Sequence, residues 1–473
     1  MSNQTSARPG FGPDEFRWGT ATAAFQIEGD AAGRGDSIWD EQCRRPGRIA
    51  DASNGLVACD HVHRYREDVA LMGELGADAY RFSISWPRVQ PGGRGPLAAT
   101  GVDFYDRLVD ELLGAGIEPW ATLYHWDLPL ELAGAEGGWT GRDVVDRFTE
   151  YALGIHRALG DRVRDWTTLN EPWCSAWLGY GSGEHAPGER DHGLAAAASH
   201  HLLLAHGTAV RALRAQAPAD HRLGIVLNLS NIRPAAGRED DEAVAVAVHA
   251  VDGLQNRWWL DAVLSGRYPA DVLELLAPSL QDLIQDDDLS VISTPIDVLG
   301  INYYCDTFVD LDGPVTRTLA AAYPVPERFT SVDPGPSGTG IGWPVTPSGL
   351  TDILLRVGTD YPDAPPLAVT ENGSAYPDPD VAPADGSVLA DPDRVAYLRS
   401  HLEALAVARE KGADVRAYFA WSLMDNFEWA WGYTQRFGLI QVDFGSQERR
   451  PKRSFETYKE HIVRSRDQAE RPD

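Results

Sequence analysis

The sequence predicts an α/β protein built as a single closed (β/α)8 TIM barrel, and three observations lead there. Short apolar runs alternate with longer helix-periodic stretches along the whole chain, the pattern of a parallel sheet wrapped by helices. No Ser- or Gly-rich linker and no internal repeat divides the 473 residues, a length one such barrel can fill. The first run is not followed by the GxGxxG turn that opens a dinucleotide-binding sheet.

In chain order the apolar runs are 16–23, 79–86, 119–125, 165–170, 223–229, 297–304, 367–370 and 416–423, eight in all. Between them the helical patterns cover 60–75, 102–115, 141–159, 193–215, 243–265 and 391–411. Eight strands with intervening helices fit a closed barrel better than an open doubly wound sheet. The barrel is expected to span 15–465, with a polar, Gly- and Pro-containing extension over 1–14 and a polar tail over 466–473.

Composition narrows the class of protein. Apolar residues at 43% and charged residues at 24% exclude a disordered or collagen-like chain. Lys and Arg total 42 against 70 Asp and Glu, a net charge of −28. Nucleic acid is therefore an unfavourable partner, because its affinity comes from cations neutralising phosphates. Anionic membrane surfaces are unfavourable for the same reason. No uninterrupted apolar stretch approaches the ~18 residues of a membrane span, and residues 1–14 lack an apolar leader core. The cytoplasm is the expected location. Cys43, Cys59, Cys174 and Cys305 lie scattered without metal-like spacing, and are expected as reduced thiols.

Barrel enzymes carry their chemistry at the C-terminal ends of the strands. Read there, the sequence offers Gln26 after the first run, Arg81 in the second, His125 and Trp126 after the third, and Asn170 and Glu171 after the fourth. Asn302 and Tyr304 follow at the sixth, Glu371 at the seventh, and Trp421, Glu428 and Trp429 at and after the eighth. Glu171 and Glu371 each follow a strand directly and precede a breaker, yet stand 200 residues apart. Only a closed barrel brings them together. Two carboxyls across a pocket are the apparatus of glycoside hydrolysis: one protonates the leaving oxygen, the other attacks the anomeric carbon or activates water.

From about Phe16 to Lys452 the sequence resembles glycoside hydrolase family 1, the β-glucosidase family. The segments that carry the likeness are Phe25-Gln-Ile-Glu-Gly29, Tyr80-Arg-Phe-Ser-Ile-Ser-Trp86, Leu123-Tyr-His-Trp-Asp-Leu-Pro129, Thr168-Leu-Asn-Glu-Pro172, Ile301-Asn-Tyr-Tyr304, Thr370-Glu-Asn-Gly373 and Trp421-Ser-Leu-Met-Asp-Asn-Phe-Glu-Trp429. The resemblance implies that Glu371 is the nucleophile and Glu171 the acid and then the base, with retention of configuration. It implies that Arg81, Tyr304 and Asn302 support the nucleophile. It also implies that Gln26, His125, Trp126, Asn170, Trp421, Glu428 and Trp429 hold the sugar. Trp343 resembles the family's aglycone-side tryptophan, and Trp173 and Trp177 are expected at the entrance. Glu171 is expected to be kept protonated near neutral pH by burial and by Glu371.

Two variants of the family can be told apart here. In the 6-phospho-β-glycosidase branch the position of Glu428 resembles a Ser, and a carboxylate there would repel a phosphate. In plant thioglucosidases the acid position resembles a Gln, whereas here Glu171 is present. The expected activity is thus an exo-acting β-glucosidase on cello-oligosaccharides and aryl or alkyl β-glucosides, with β-galactosidase or β-fucosidase side activity. It is expected to need no metal and no cofactor, and its partner is a small β-glycoside. His61, His63, His200, His201 and His206 lack a matching set of further ligands at metal-site spacing.

Overall fold

The computed structural model describes residues 16–135, 137–311, 330–331, 338–378 and 388–469. Eight parallel strands close into a barrel: β1 Arg17–Ala21, β2 Ala79–Ser83, β3 Glu118–Tyr124, β4 Asp165–Asn170, β5 Arg222–Asn228, β6 Val298–Asn302, β7 Leu367–Asn372 and β8 Val415–Trp421. Each neighbours the next in chain order, and β8 returns to pair with β1, Trp18 opposite Tyr418 and Ala21 opposite Trp421. Helices cover the outer face and side chains fill the interior, so the strands are buried on both faces. That is why they read as continuous apolar runs rather than as alternating ones.

The expected helices are present within a few residues at their ends. His61–Leu75 stops at Gly76, whose φ of 80° lets the chain leave through the left-handed conformation. His192–Gln216 starts where the Asp191 carboxylate accepts from the Gly193 and Leu194 N–H groups. One expectation is corrected. The helix read over 243–265 is two helices, Glu242–Asp252 and Trp258–Ser265, joined by a wide π-type turn, Gly253–Arg257. The wide turn aims two amides at the chain leaving β5. Gln255 Nε2 donates to the Asn228 carbonyl at 3.0 Å, and Asn256 Nδ2 to the Ser230 carbonyl at 2.7 Å.

Helices Ala270–Leu280, Pro347–Asp360 and Arg453–Ala469 complete the main set. The last runs beyond 465, into the segment expected as a tail. Residues 470–473 and the expected extension over 1–14 lie outside the described residues. No helix among the described residues is long and apolar enough to cross a membrane. The histidines serve packing: His200 meets the Tyr268 hydroxyl at 2.9 Å and Asp288 at 3.0 Å, and His206 meets Thr168 at 2.7 Å.

Candidate active site

The ends of β4 and β7 are both irregular. The register between β7 and β6 slips between Val369 and Glu371, leaving Glu371 opposite Asn302. The register between β4 and β5 slips between Thr167 and Asn170. Such irregularities re-aim side chains at barrel rims. Glu171 then takes a φ of 47°, and Trp126 and Trp429 take 77° and 49°. Left-handed non-glycine residues cost on the order of 1–3 kcal/mol each and gather at functional sites. Gly373 is required here: a Cβ would sit 1.7 Å from the Trp421 carbonyl oxygen, where the end of β7 passes the end of β8.

The two carboxyls are held by separate donors. Arg81 Nη1 donates to Glu371 Oε1 at 2.7 Å, and the Tyr304 hydroxyl to Glu371 Oε2 at 2.6 Å. Asn302 Nδ2 donates to Glu171 Oε1 at 2.6 Å, and the Cys174 thiol to Glu171 Oε2 at 3.0 Å. Asn170 ties the two groups together. Its Oδ1 accepts from Arg81 Nη2 at 2.6 Å and from Asn302 Nδ2 at 3.1 Å, while its Nδ2 meets His125 Nε2 at 3.0 Å.

Burial, then the negative charge of Glu371, push Glu171 up to about 7, against the hydrogen bonds of Cys174 and Asn302 and the charge of Arg81. Burial also raises Glu371 above its ordinary value, and the charge of Arg81 and the donors Tyr304, Arg81 and Asn302 offset only part of that rise. Glu428 rises to about 8 through burial and the charge of Glu371. Burial and the charge of Arg81 hold His125 well below the usual imidazole range, so it is neutral.

A cavity of about 330 Å³ opens over this layer. His125, Trp126, Glu171, Asn302, Tyr304, Trp343, Glu371, Trp421, Glu428 and Trp429 all line it. The His125 ring lies nearly parallel to Trp421 and to Trp429, at 5.8 and 5.9 Å between centroids. Trp343 stands at the rim, 37% exposed, 5.2 Å from the Tyr304 ring. Gln26, Arg81 and Asn170 are buried and do not line it. Gln26 Nε2 donates to Asn426 Oδ1 and the Phe427 carbonyl at 2.9 Å and to Glu428 Oε2 at 3.3 Å. Gln26 Oε1 and His125 Nδ1 are buried with no protein partner among the described residues, as groups reserved for a ligand would be.

Of the two tryptophans expected at the entrance, Trp173 lines the cavity and Trp177 does not. Trp177 is fully buried inside the wide helical segment Cys174–Ser182, which turns it into the core. Sequence reading also missed cavity-lining residues: Cys174, Asn228, Gln255, Glu184 and Phe437. Asn228 was within reach, because it ends the fifth run as Asn170 ends the fourth. Among the described residues, no group of three or more His, Cys, Asp or Glu side chains gathers to hold a metal ion.

Comparison with known proteins gives one family. The model of Glycosyl hydrolase family 1 matches residues 10–467. A bifunctional β-D-glucosidase/β-D-fucosidase of Bifidobacterium breve is 48% identical, over 95% of this chain and 98% of that protein. Among solved structures, a psychrophilic β-glucosidase from Micrococcus antarcticus matches with a TM-score of 0.88 at 46% identity, over 96% of this chain and 97% of that one. The β-glucosidase of Thermotoga maritima in complex with glucoimidazole matches with a TM-score of 0.87 at 40% identity, over 95% and 98% of the two chains.

Proposed function

The chain belongs to Glycosyl hydrolase family 1, and from that premise we propose that it is a retaining β-glucosidase. It releases terminal β-D-glucosyl units from cello-oligosaccharides and from aryl or alkyl β-glucosides, with β-fucosidase or β-galactosidase side activity. The observation that carries this reading is the pair Glu171 and Glu371, facing one cavity and held by different donors.

In the first half-reaction Glu371 attacks the anomeric carbon and Glu171 gives its proton to the departing oxygen, so the aglycone leaves as an alcohol. Arg81 and Tyr304 keep Glu371 ionised and aimed until then. Once Glu371 is an ester its charge is gone. That charge helped hold Glu171 protonated, so Glu171 becomes the stronger acid and, ionised, the base that takes a proton from water. Water then attacks the anomeric carbon, and Glu371 leaves as carboxylate.

The sugar is held by polar groups around the carboxyl pair, of which Gln26 Oε1 and His125 Nδ1 have no protein partner among the described residues. Gln26 Oε1, His125 and Glu428 offer acceptors and donors to hydroxyls, Asn170 serves the 2-hydroxyl, and Trp421 and Trp429 offer apolar faces. Glu428 in the cavity disfavours a 6-phosphorylated sugar, since it offers no cation to a phosphate and repels one whenever it is ionised. Support for the fucosyl side activity comes from the likeness to the bifunctional β-D-glucosidase/β-D-fucosidase of Bifidobacterium breve.

The test is Glu371→Gly assayed on an activated aryl β-glucoside with and without azide. Activity is expected to vanish and to return with azide as an α-glucosyl azide, because azide fills the vacated space and attacks from the same face. Near-native hydrolysis by Glu371→Gly without azide would refute the assignment.

A further inference from the structure

One carboxylate in the cavity has no part in the chemistry above. Glu184 lines the cavity together with His185, Leu178 and Trp173, on the loop that follows the wide helical segment Cys174–Ser182. The loop is fixed by backbone bonds, His185 N–H to the Leu178 carbonyl and Glu189 N–H to the Gly179 carbonyl, both at 3.0 Å. Glu184 makes no ion pair among the described residues. The guanidiniums that touch its loop bond its backbone and not the Glu184 carboxylate: Arg48 donates to the Gly183 and Gly188 carbonyls and Arg45 to the Pro187 carbonyl.

Other carboxylates in the same cavity are already answered. Asp306 is neutralised by Arg233 at 2.6 Å and Glu371 by Arg81 at 2.7 Å, while burial and the charge of Glu371 hold Glu428 largely protonated at neutral pH. Among the described residues no Lys or Arg lines the cavity, and burial keeps His125 and His185 neutral. Burial raises the Glu184 carboxyl above its ordinary value, and among the described residues no cation draws it back; ionised, it places a negative charge on the wall of a partly desolvated cavity. Glu184 lies two residues past the segment Cys174–Ser182 and lines the cavity together with Cys174, whose thiol touches the proposed acid Glu171 at 3.0 Å. Glu171 is the residue that meets the glycosidic oxygen.

We propose that Glu184 stands on that leaving-group side and selects the aglycone by charge, favouring β-glucosides whose leaving group carries a cationic amine and disfavouring those that carry a carboxylate. The inference rests on the β-glucosidase reading and names the class of aglycone that this cavity accepts. A charged aglycone entering the cavity exchanges water for the field of Glu184, so the preference is electrostatic and falls as salt is added.

The experiment measures kcat/KM at neutral pH and low ionic strength on three β-glucosides, those of 4-(2-aminoethyl)phenol, 4-(2-carboxyethyl)phenol and 4-ethylphenol. The saturated spacer keeps the three phenols similar as leaving groups. The wild type is expected to prefer the amine over the carboxylate substrate by about tenfold or more. In Glu184→Gln that ratio is expected to fall towards unity, in Glu184→Lys to invert, and in the wild type to shrink with added salt. An amine-to-carboxylate ratio that Glu184→Gln leaves unaltered overturns the inference, even if one variant folds poorly, because a ratio cancels the amount of active enzyme. A wild type that fails on the neutral 4-ethylphenyl substrate overturns the β-glucosidase reading, and this inference with it. Hydrolysis of the neutral substrate with no charge preference overturns this inference alone.

Discussion

Cys174 lies one helical turn past Glu171, and its thiol donates to the carboxyl oxygen that Asn302 leaves free. A thiol is a weak donor. It nonetheless stabilises the ionised form of Glu171, opposing burial and the charge of Glu371, which push that carboxyl to about 7. The free-enzyme profile of kcat/KM should therefore fall above about pH 7, as Glu171 loses the proton it must give to the leaving oxygen. Cys174→Ala should raise the Glu171 pKa and carry that limb to higher pH by roughly half a unit, the worth of one weak hydrogen bond. An immobile limb would mean that the thiol only fills space. Glu171 and Glu371 themselves were legible in the sequence, because each carboxyl follows an apolar run and precedes a breaker. Cys174 and Glu184 were not: nothing in a one-dimensional pattern says that a thiol or a carboxylate beyond a strand end will turn towards the cavity.

Elements tell the same story at a larger scale. The hairpin of strands Ile440–Val442 and Arg449–Pro451 is tied to helix His61–Leu75 by a buried ion pair. Arg449 Nε donates to Asp68 Oδ1 at 2.9 Å, His61 Nδ1 lies 2.7 Å from Asp68 Oδ2, and the side chains of Arg449 and Asp68 are fully buried. Burial pushes the Asp68 carboxyl up, but His61 and Arg449 outweigh it and hold the group below its usual range. The unfolded chain therefore takes up this proton first as the pH falls. The pair contributes fully above the ordinary Asp value of about 3.9, and its contribution is lost as pH drops through the lower folded value. Arg449→Met leaves the buried carboxylate with His61 alone and should cost up to about 3–5 kcal/mol at neutral pH. The cost should shrink in acid, read as converging melting temperatures of variant and wild type below about pH 4. Strand and helix order could be read from periodicity. The wide turns at Gly253–Arg257 and Cys174–Ser182 and the register slips at β4 and β7 could not, because each answers to a partner distant in the chain.

Closure is the property of the whole molecule. The seam between β1 and β8 joins the two ends of the chain's barrel, and the final helix lies over it. There the Tyr458 hydroxyl shares its proton between the carbonyls of Gly19 at 2.9 Å and Tyr418 at 3.3 Å, one on each side of the seam. Tyr458→Phe leaves those carbonyls without that donor and should cost about 1–3 kcal/mol, measured as an earlier denaturant midpoint with unchanged slope. An unshifted midpoint would mean that β1 and β8 hold the seam unaided. The sequence by itself determined the α/β class, the count and order of the strands, and the carboxyl pair at their ends. Burial on both strand faces, the interruption of runs by breakers and the choice of residue type are all local facts. Only the tertiary structure decided which donors reach Glu171 and Glu371, that Trp177 turns into the core, and that Glu184 faces the cavity with no cation lining it among the described residues. Contacts across a closed barrel depend on register and on the path of loops, and these are set by packing between segments hundreds of residues apart.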